Sequence, residues 1–209
     1  MRSFVAIDVE TASTDPASIC QIGLVCVEDG SVRECWTTLV DPQCDFHSWN
    51  IAIHGITPAM VAGEPRLPEL ADDLRKFVGA RVVASHTGFD RIALTRAYDR
   101  YGLECPEWSW LDTASVVRRT WKQFSKRGYG LASVAAHCGI RFGHHDAGED
   151  ARAAALILVR AMDETGLDIH GWMVRVHQPI HPRQPRGCRK GRETPAEETS
   201  ESPLRQDAP

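Results

Sequence analysis

Residues 4–11 read FVAIDVET, an apolar, β-branched run that ends in two carboxylates, Asp8 and Glu10. Such a run reads as a buried strand over Phe4–Val9. Side chains at i and i+2 of a strand point to the same side of its sheet, so both acids share one face near the strand's end. A buried carboxylate without a partner costs several kcal/mol, so Asp8 requires a cation, hydrogen-bond donors or a metal. In an open sheet with alternating elements, ligands gather at the carboxyl ends of the strands, which is where these acids fall.

The rest of the chain is consistent with such a sheet. ICQIGLVCVEDGSVRECWTTLVDP gives two further strand-like runs joined by Asp29-Gly30, a hairpin dipeptide. LPELADDLRKFVG places Leu67, Leu70, Leu74, Phe77 and Val78 at helical spacing before a stop at Gly79. RVVASH is a short buried strand, and FDRIALTRAYDRYGL is a helix carried by Ile92, Leu94, Ala97, Tyr98 and Tyr101. WSWLDT gives one more strand, and three helical stretches follow: ASVVRRTW, LASVAAHCGI and the alanine-rich run from Asp146 to about Glu164. The predicted order is β-β-β-α-β-α-β-α-α-α. This is an α/β fold with a mixed sheet, antiparallel first and then alternating with helices that cover both faces.

Two more acids sit where the pattern changes. Asp90 opens a helix directly after a strand, and Asp150 lies one turn into the alanine-rich helix. Each also fits a plain role, Asp90 as a helix cap and Asp150 as a solvated acid favoured by the helix dipole. Taken with Asp8 and Glu10, they offer oxygen ligands of the kind that suits Mg²⁺ or Mn²⁺, ions that keep sites for water and phosphate oxygens.

Composition narrows the classes. With 209 residues and 43% hydrophobic content, one catalytic domain with a sizeable core is expected, over residues 1–176. The remainder, 177–209, is rich in Pro, Arg, Glu and Ser and is expected to be a disordered tail. No apolar stretch reaches the roughly 20 residues of a membrane helix and no secretory layout is present, so a soluble cytoplasmic protein is expected. Seven cysteines without a C-x-x-C pair suggest neither a disulfide framework nor a zinc clip. A formal charge of −4 argues against coating duplex DNA by bulk electrostatics, yet carboxylate-held metal ions can supply the positive charge a phosphate needs.

FVAIDVET, HTGFD (86–90) and HHDAGEDA (144–151) resemble, in order and spacing, the three motifs of the DEDDh 3′-to-5′ exonucleases, relatives of the proofreading subunit of bacterial DNA polymerase III and of small exoribonucleases. IHGIT (53–57) and GYGLASVAAHCGI (128–140) also match, and the resemblance spans roughly Phe4 to Ala161. It implies a ribonuclease H-like fold, a mixed five-stranded sheet flanked by helices. It also implies two divalent ions, with Asp8 bridging both, Glu10 and Asp150 on the ion that carries the attacking water, and Asp90 supporting the other through water. His145, five positions before Asp150, matches the family's general base, and His144 is left as a solvent-facing or loop-positioning neighbour.

For substrate the resemblance implies single-stranded DNA or RNA 3′ ends, with DNA slightly preferred and nucleoside 5′-monophosphates as products. Thr11, His54 and Phe89 are the candidates around the terminal nucleotide. Arg118 and Arg119 open RRTWKQFSKRGY, whose five basic residues and interleaved aromatics suit a single strand, although the same stretch also reads as a solvated helix end whose aromatics belong to the core. His86 stands where the family more often has asparagine. The alternatives are a small exoribonuclease, an inactive nucleic-acid-binding module of the same fold, and a ribonuclease H-like endonuclease, which has no need of the His145 to Asp150 spacing. No polymerase or repair partner is identifiable from the sequence.

Overall fold

A computed structural model describes residues 2–180; the segment from 181 onward, most of the expected tail, lies outside the described residues. Strand β1 (Phe4–Thr11) pairs antiparallel with β2 (Ile19–Glu28), which turns back into β3 (Ser31–Leu39). Asp29 and Gly30 both take positive φ, 51° and 78°, the geometry that lets a two-residue turn follow the strand twist.

After β3 come two short helices, α1 (Ser48–His54) and α2 (Pro58–Val61), then α3 (Leu67–Val78), ended by Gly79 at φ 57°. Strand β4 (Val83–Ser85) leads into α4 (Phe89–Arg100), and β5 (Trp110–Asp112) into α5 (Thr113–Thr120). A 3-10 turn at Lys122–Phe124 precedes α6 (Leu131–Cys138), α7 (Ala147–Thr165) and α8 (Ile169–Arg175). The sheet order is β3-β2-β1-β4-β5, with β4 and β5 parallel to β1. The expected mixed five-stranded sheet is therefore present.

Alternation along β1 divides its residues between two cores. Val5, Ile7 and Val9 pack with Leu70 and Leu74 of α3 and Leu94 of α4 on one face. Phe4 and Ala6 pack with Val116, Val117, Ala151, Ile157 and Trp172 from α5, α7 and α8 on the other. Asp8 and Glu10 share the parity of Phe4 and Ala6, so they point into the face covered by α7.

Helices α1, α2 and α8 and the 3-10 turn were not expected from periodicity. α1 is only seven residues long and contains no buried residue, so its apolar side chains do not form the core-facing stripe that marks a helix in a sequence. α8 is only seven residues long and buries just Ile169 and Trp172, with Met173 packed partly buried beside them.

The first turn of α7 lies directly on the sheet. A Cβ placed on Gly23 of β2 would come within 2.2 Å of the Ala147 carbonyl oxygen, and one on Gly148 within 2.2 Å of Thr37 Oγ1. Gly23→Ala is expected to lower the unfolding free energy by about 1–3 kcal/mol or more, the range for overpacking a tight contact. Gly148→Ala should cost less, because a threonine hydroxyl can rotate away whereas a backbone carbonyl cannot. Urea unfolding of both variants checks the order; no loss at Gly23 would mean that α7 sits farther from the sheet.

Candidate active site

The turn from β4 into α4 lies beside the end of β1, because the two strands are parallel neighbours. This brings buried Asp90, in the first turn of α4, close enough for its Oδ1 to accept the Val9 backbone N–H at 3.1 Å. From the other face, α7 contributes buried Asp150. Carboxylate oxygens of Asp8, Glu10 and Asp150 all lie within 4.8 Å of one another, a spacing that could hold a metal ion. Asp90 stands beside this triad, tied to the backbone of β1.

Gln21 sets the position of Asp150. It faces Glu10 across the β1–β2 ladder, its Oε1 accepts from the Ala147 amide at 3.0 Å, and its Nε2 donates to Asp146 Oδ2 at 3.2 Å. Asp146 in turn caps α7 by accepting from the Glu149 amide at 3.0 Å. Sequence reading passed over Gln21; its signal was a lone polar residue inside the otherwise apolar strand ICQIGLV.

A cavity of about 300 Å³ opens over the acids. Its lining includes Asp8, Glu10, Asp90, Asp150 and three histidines, but neither lysine nor arginine. A larger cavity of about 670 Å³ surrounds Glu28, Arg33, Lys76 and Arg81, and none of the four acids reaches it. Its charges are partly paired with one another, as in Arg81 to Glu28 at 2.8 Å.

Packed acids without a countercharge hold their protons. Burial, and then the charges of Asp90, Asp150 and Glu10, push Asp8 well above the usual carboxylate range. Burial and the neighbouring Asp150 and Asp90 raise Glu10 to about 7. Asp90 is also raised to about 7 by burial, against the opposing hydrogen bonds from backbone amides.

The two adjacent histidines stack, with ring centroids 3.9 Å apart. His145 lines the cavity, and its own backbone N–H donates to Asp150 Oδ2 at 3.2 Å. Burial, with help from His144, lowers its pKa from the ordinary histidine value. His145 takes φ 68°, a left-handed turn that ends the loop before α7. His144 lies outside the cavity lining, yet its Nδ1 is 3.0 Å from Asp150 Oδ2, so it touches a carboxylate of the triad as well as its neighbouring ring.

The remaining cavity wall comes from α1, the end of β1 and the β4–α4 turn. The Thr11 carbonyl accepts from Asn50 Nδ2 at 2.8 Å and lies 3.2 Å from His54 Nε2, while His54 Nδ1 accepts from the Ile56 amide at 3.0 Å. Ile53 and Phe89 form the apolar part of the lining. Asn50, a lining residue that sequence reading did not select, also reaches the Ser13 carbonyl at 3.3 Å. His86 bonds Thr113 Oγ1 at 2.9 Å and the Tyr129 carbonyl at 2.7 Å, which ties the 125–130 loop to the cavity.

Arg118 and Arg119 are not brought to the cavity. Arg118 donates to the Ser125 carbonyl and lies over the Tyr129 ring, 5.0 Å from its centroid; Arg119 donates to the carbonyls of Ser115 and Gln178.

A carboxyl whose folded pKa exceeds its unfolded value of about 4 takes up protons on folding, so stability falls as pH rises between the two values. For Glu10 and Asp90 that window ends near pH 7. His54, His86 and His145, whose pKa values are lowered, act in the opposite sense, so comparison with Asp8→Asn isolates the carboxylates. In EDTA, Asp8→Asn is expected to melt above wild type well past pH 7, by about 2–4 °C per kcal/mol of relieved repulsion, with the margin shrinking on acidification. Added Mg²⁺ or Mn²⁺ should raise the melting temperature of wild type more than that of Asp8→Asn. Thermal melts across pH check both statements, and a constant margin would mean that the acids do not repel.

Residues 5–158 match the exonuclease family. A PolC-type DNA polymerase III of Clostridium perfringens is 32% identical over 176 residues, covering 80% of this chain and 12% of the polymerase. The DNA polymerase III subunit epsilon of Aquifex aeolicus is 29% identical, covering 78% of this chain and 81% of that subunit. The chain thus spans about an eighth of the polymerase but most of the subunit. Exonuclease X, solved in complex with 5′-overhanging duplex DNA, superposes with a TM-score of 0.65 at 24% identity, covering 83% of this chain and 99% of that one. The sheet and its flanking helices form the ribonuclease H-like arrangement. With its family match over about three quarters of its length, the chain belongs to the exonuclease family, consistent with the DEDDh 3′-to-5′ resemblance of its motifs, and exonucleases of that kind generally use divalent metal ions.

Proposed function

We propose that this protein is a metal-dependent 3′-to-5′ exonuclease that releases nucleoside 5′-monophosphates from single-stranded nucleic acid, DNA in preference to RNA, and that it works in the cytoplasm through a catalytic unit spanning residues 1–176. The observation that carries this reading is the convergence of Asp8, Glu10 and Asp150 within 4.8 Å, beside Asp90 and His145 in one open cavity. The preference for DNA rests on the polymerase III relatives alone.

The donor set fits hard divalent ions. The oxygens are all carboxylate, no lysine or arginine competes for them, and burial together with the neighbouring acids raises the pKa values of Asp8, Glu10 and Asp90, a cluster that a bound cation would relieve. Two Mg²⁺ or Mn²⁺ ions, when bound, would supply that charge to the attacking and leaving oxygens of an in-line displacement. Asp8 would be shared by both, Glu10 and Asp150 would hold the one nearer His145, and Asp90 the other.

His145 acts as general base. Its lowered pKa keeps the imidazole neutral near pH 7 and able to accept a proton from water. The water oxygen joins the terminal phosphorus, the bond to the 3′ oxygen of the preceding nucleotide breaks, and that oxygen takes up a proton. The backbone at Thr11 meets the terminal 3′-hydroxyl, held in place by Asn50 and His54, while His54 and Phe89 flank the last base. His144 orients the Asp150 carboxylate from outside the cavity.

Matched DNA and RNA oligonucleotides, blocked at either end and incubated with Mn²⁺ or EDTA, test activity, polarity and sugar together. The expected result is stepwise loss from free 3′ ends, faster on DNA and abolished by EDTA; cleavage within 3′-blocked strands would point instead to an endonuclease. Asp8→Asn and Asp150→Asn should each remove detectable digestion while circular dichroism stays that of wild type. His145→Ala is expected to lower turnover by about 10²–10⁴-fold, the usual contribution of a general base. His144→Ala should lose less, since Asp150 keeps its link to the His145 amide, and the reverse ranking would exchange the two roles.

A further inference from the structure

Helix α1 is attached to the rest of the molecule without burying a side chain. Asn50 and His54, four residues apart, turn to the Thr11 and Ser13 carbonyls, and the His47 amide donates to the Ala12 carbonyl at 2.9 Å. The adjoining stripe of the same helix carries Trp49 and Ile53, also four residues apart and hence one above the other. Trp49 is 74% exposed, although tryptophan ordinarily buries much of its large ring in a core or interface. It contributes nothing to the three cores of the molecule.

Ile53 lines the catalytic cavity, and Trp49, absent from the lining, lies four residues before it, about 6 Å along the helix axis. The α4 side repeats the arrangement. Phe89 lines the cavity, and Ile92, 52% exposed, follows three residues later on the same helix beyond the lining. Exposed Arg96, seven residues after Phe89 and four after Ile92, lies on the same face of the helix. The mouth therefore continues from the cavity onto apolar surface with a cation beside it, whereas Arg118 and Arg119 are occupied by carbonyls and a tyrosine ring and do not line the cavity.

We infer that Trp49 is a stacking platform for the base preceding the terminal nucleotide of a single-stranded substrate, with Ile92 and Arg96 extending the track along the strand. This rests on the exonuclease reading, which places the last nucleotide in the cavity and obliges the rest of the strand to leave through its mouth. The occupant is a base rather than a protein partner because the platform is continuous with that cavity. An aromatic face also accepts any unpaired base and offers nothing to one closed in a duplex.

The test compares two substrates on the full chain with Mn²⁺. The p-nitrophenyl ester of thymidine 5′-monophosphate contains only a terminal nucleotide, whereas a twelve-nucleotide oligothymidylate crosses the mouth. For Trp49→Ala, the ratio of kcat/KM on the oligonucleotide to that on the ester should fall on the order of tenfold, mostly through KM, and Trp49→Phe should restore most of it. Anisotropy of fluorescein-labelled oligothymidylate and oligouridylate in EDTA reads the same track without turnover. There Trp49→Ala should bind on the order of tenfold more weakly than wild type, and Trp49→Phe close to wild type. An unchanged ratio with unchanged binding overturns the inference, as does an equal loss on ester and oligonucleotide, which would mark a structural role for α1. A wild type that binds either oligonucleotide through Trp49 but digests neither refutes the exonuclease reading and leaves the platform standing; a wild type that binds neither refutes the platform.

Discussion

The first turn of α7 rests on strand β2 at Gly23 with no side chain between the two backbones there, and the geometry of the acidic cluster depends on that approach. Gly23 allows it on the strand side, Gly148 on the helix side, and Gln21 secures it by bonding both the Ala147 amide and the Asp146 carboxylate. Gly23 and Gln21 lie directly across the ladder from Asp8 and Glu10. The residues that let the helix descend are therefore the cross-strand partners of the acids that its Asp150 must meet, and any lift of the helix would separate Asp150 from the other carboxylates.

That approach assembles a cluster that opposes folding. Burial, and then mutual repulsion, raise the pKa values of Asp8, Glu10 and Asp90, a cost that the two large cores on either face of the sheet offset. The same crowding sets carboxylate oxygens at a spacing that could hold a metal ion. Burial comes first among the causes of the cost, and the charges of the neighbouring acids add to it, with no lysine or arginine in the cavity wall to offset them. Asp90 illustrates the compromise, since its bond from the Val9 amide anchors α4 to β1 while leaving its charge in the cluster.

Much of the fold was legible because it rests on local signals. The Asp29-Gly30 turn, the heptad-like leucines of α3, Gly79 and the alanine-rich α7 each state their conformation within a few residues. α1 was not legible, because SWNIAIH is held by bonds from Asn50 and His54 to a loop some 40 residues away rather than by an apolar stripe. The basic stretch containing Arg118 and Arg119 shows the converse limit. Its composition is that of a nucleic-acid surface, but the folded chain directs these two guanidinium groups to its own carbonyls and to Tyr129. Likewise, spacing distinguished His145 from His144 but could not reveal that His144 also reaches Asp150.

The sequence by itself determined the strand and helix types, the shared face of Asp8 and Glu10, and the motif order that carries the family resemblance. These follow from periods of two and 3.6 residues and from spacing along the chain. Tertiary structure alone decided that Asp150 comes within reach of Asp8, that Gln21 and Asn50 belong to the site, and that Trp49 stands uncovered at its mouth. Each of those depends on distances between residues far apart in the chain, set by how closely two backbones can pack, and no local pattern encodes them.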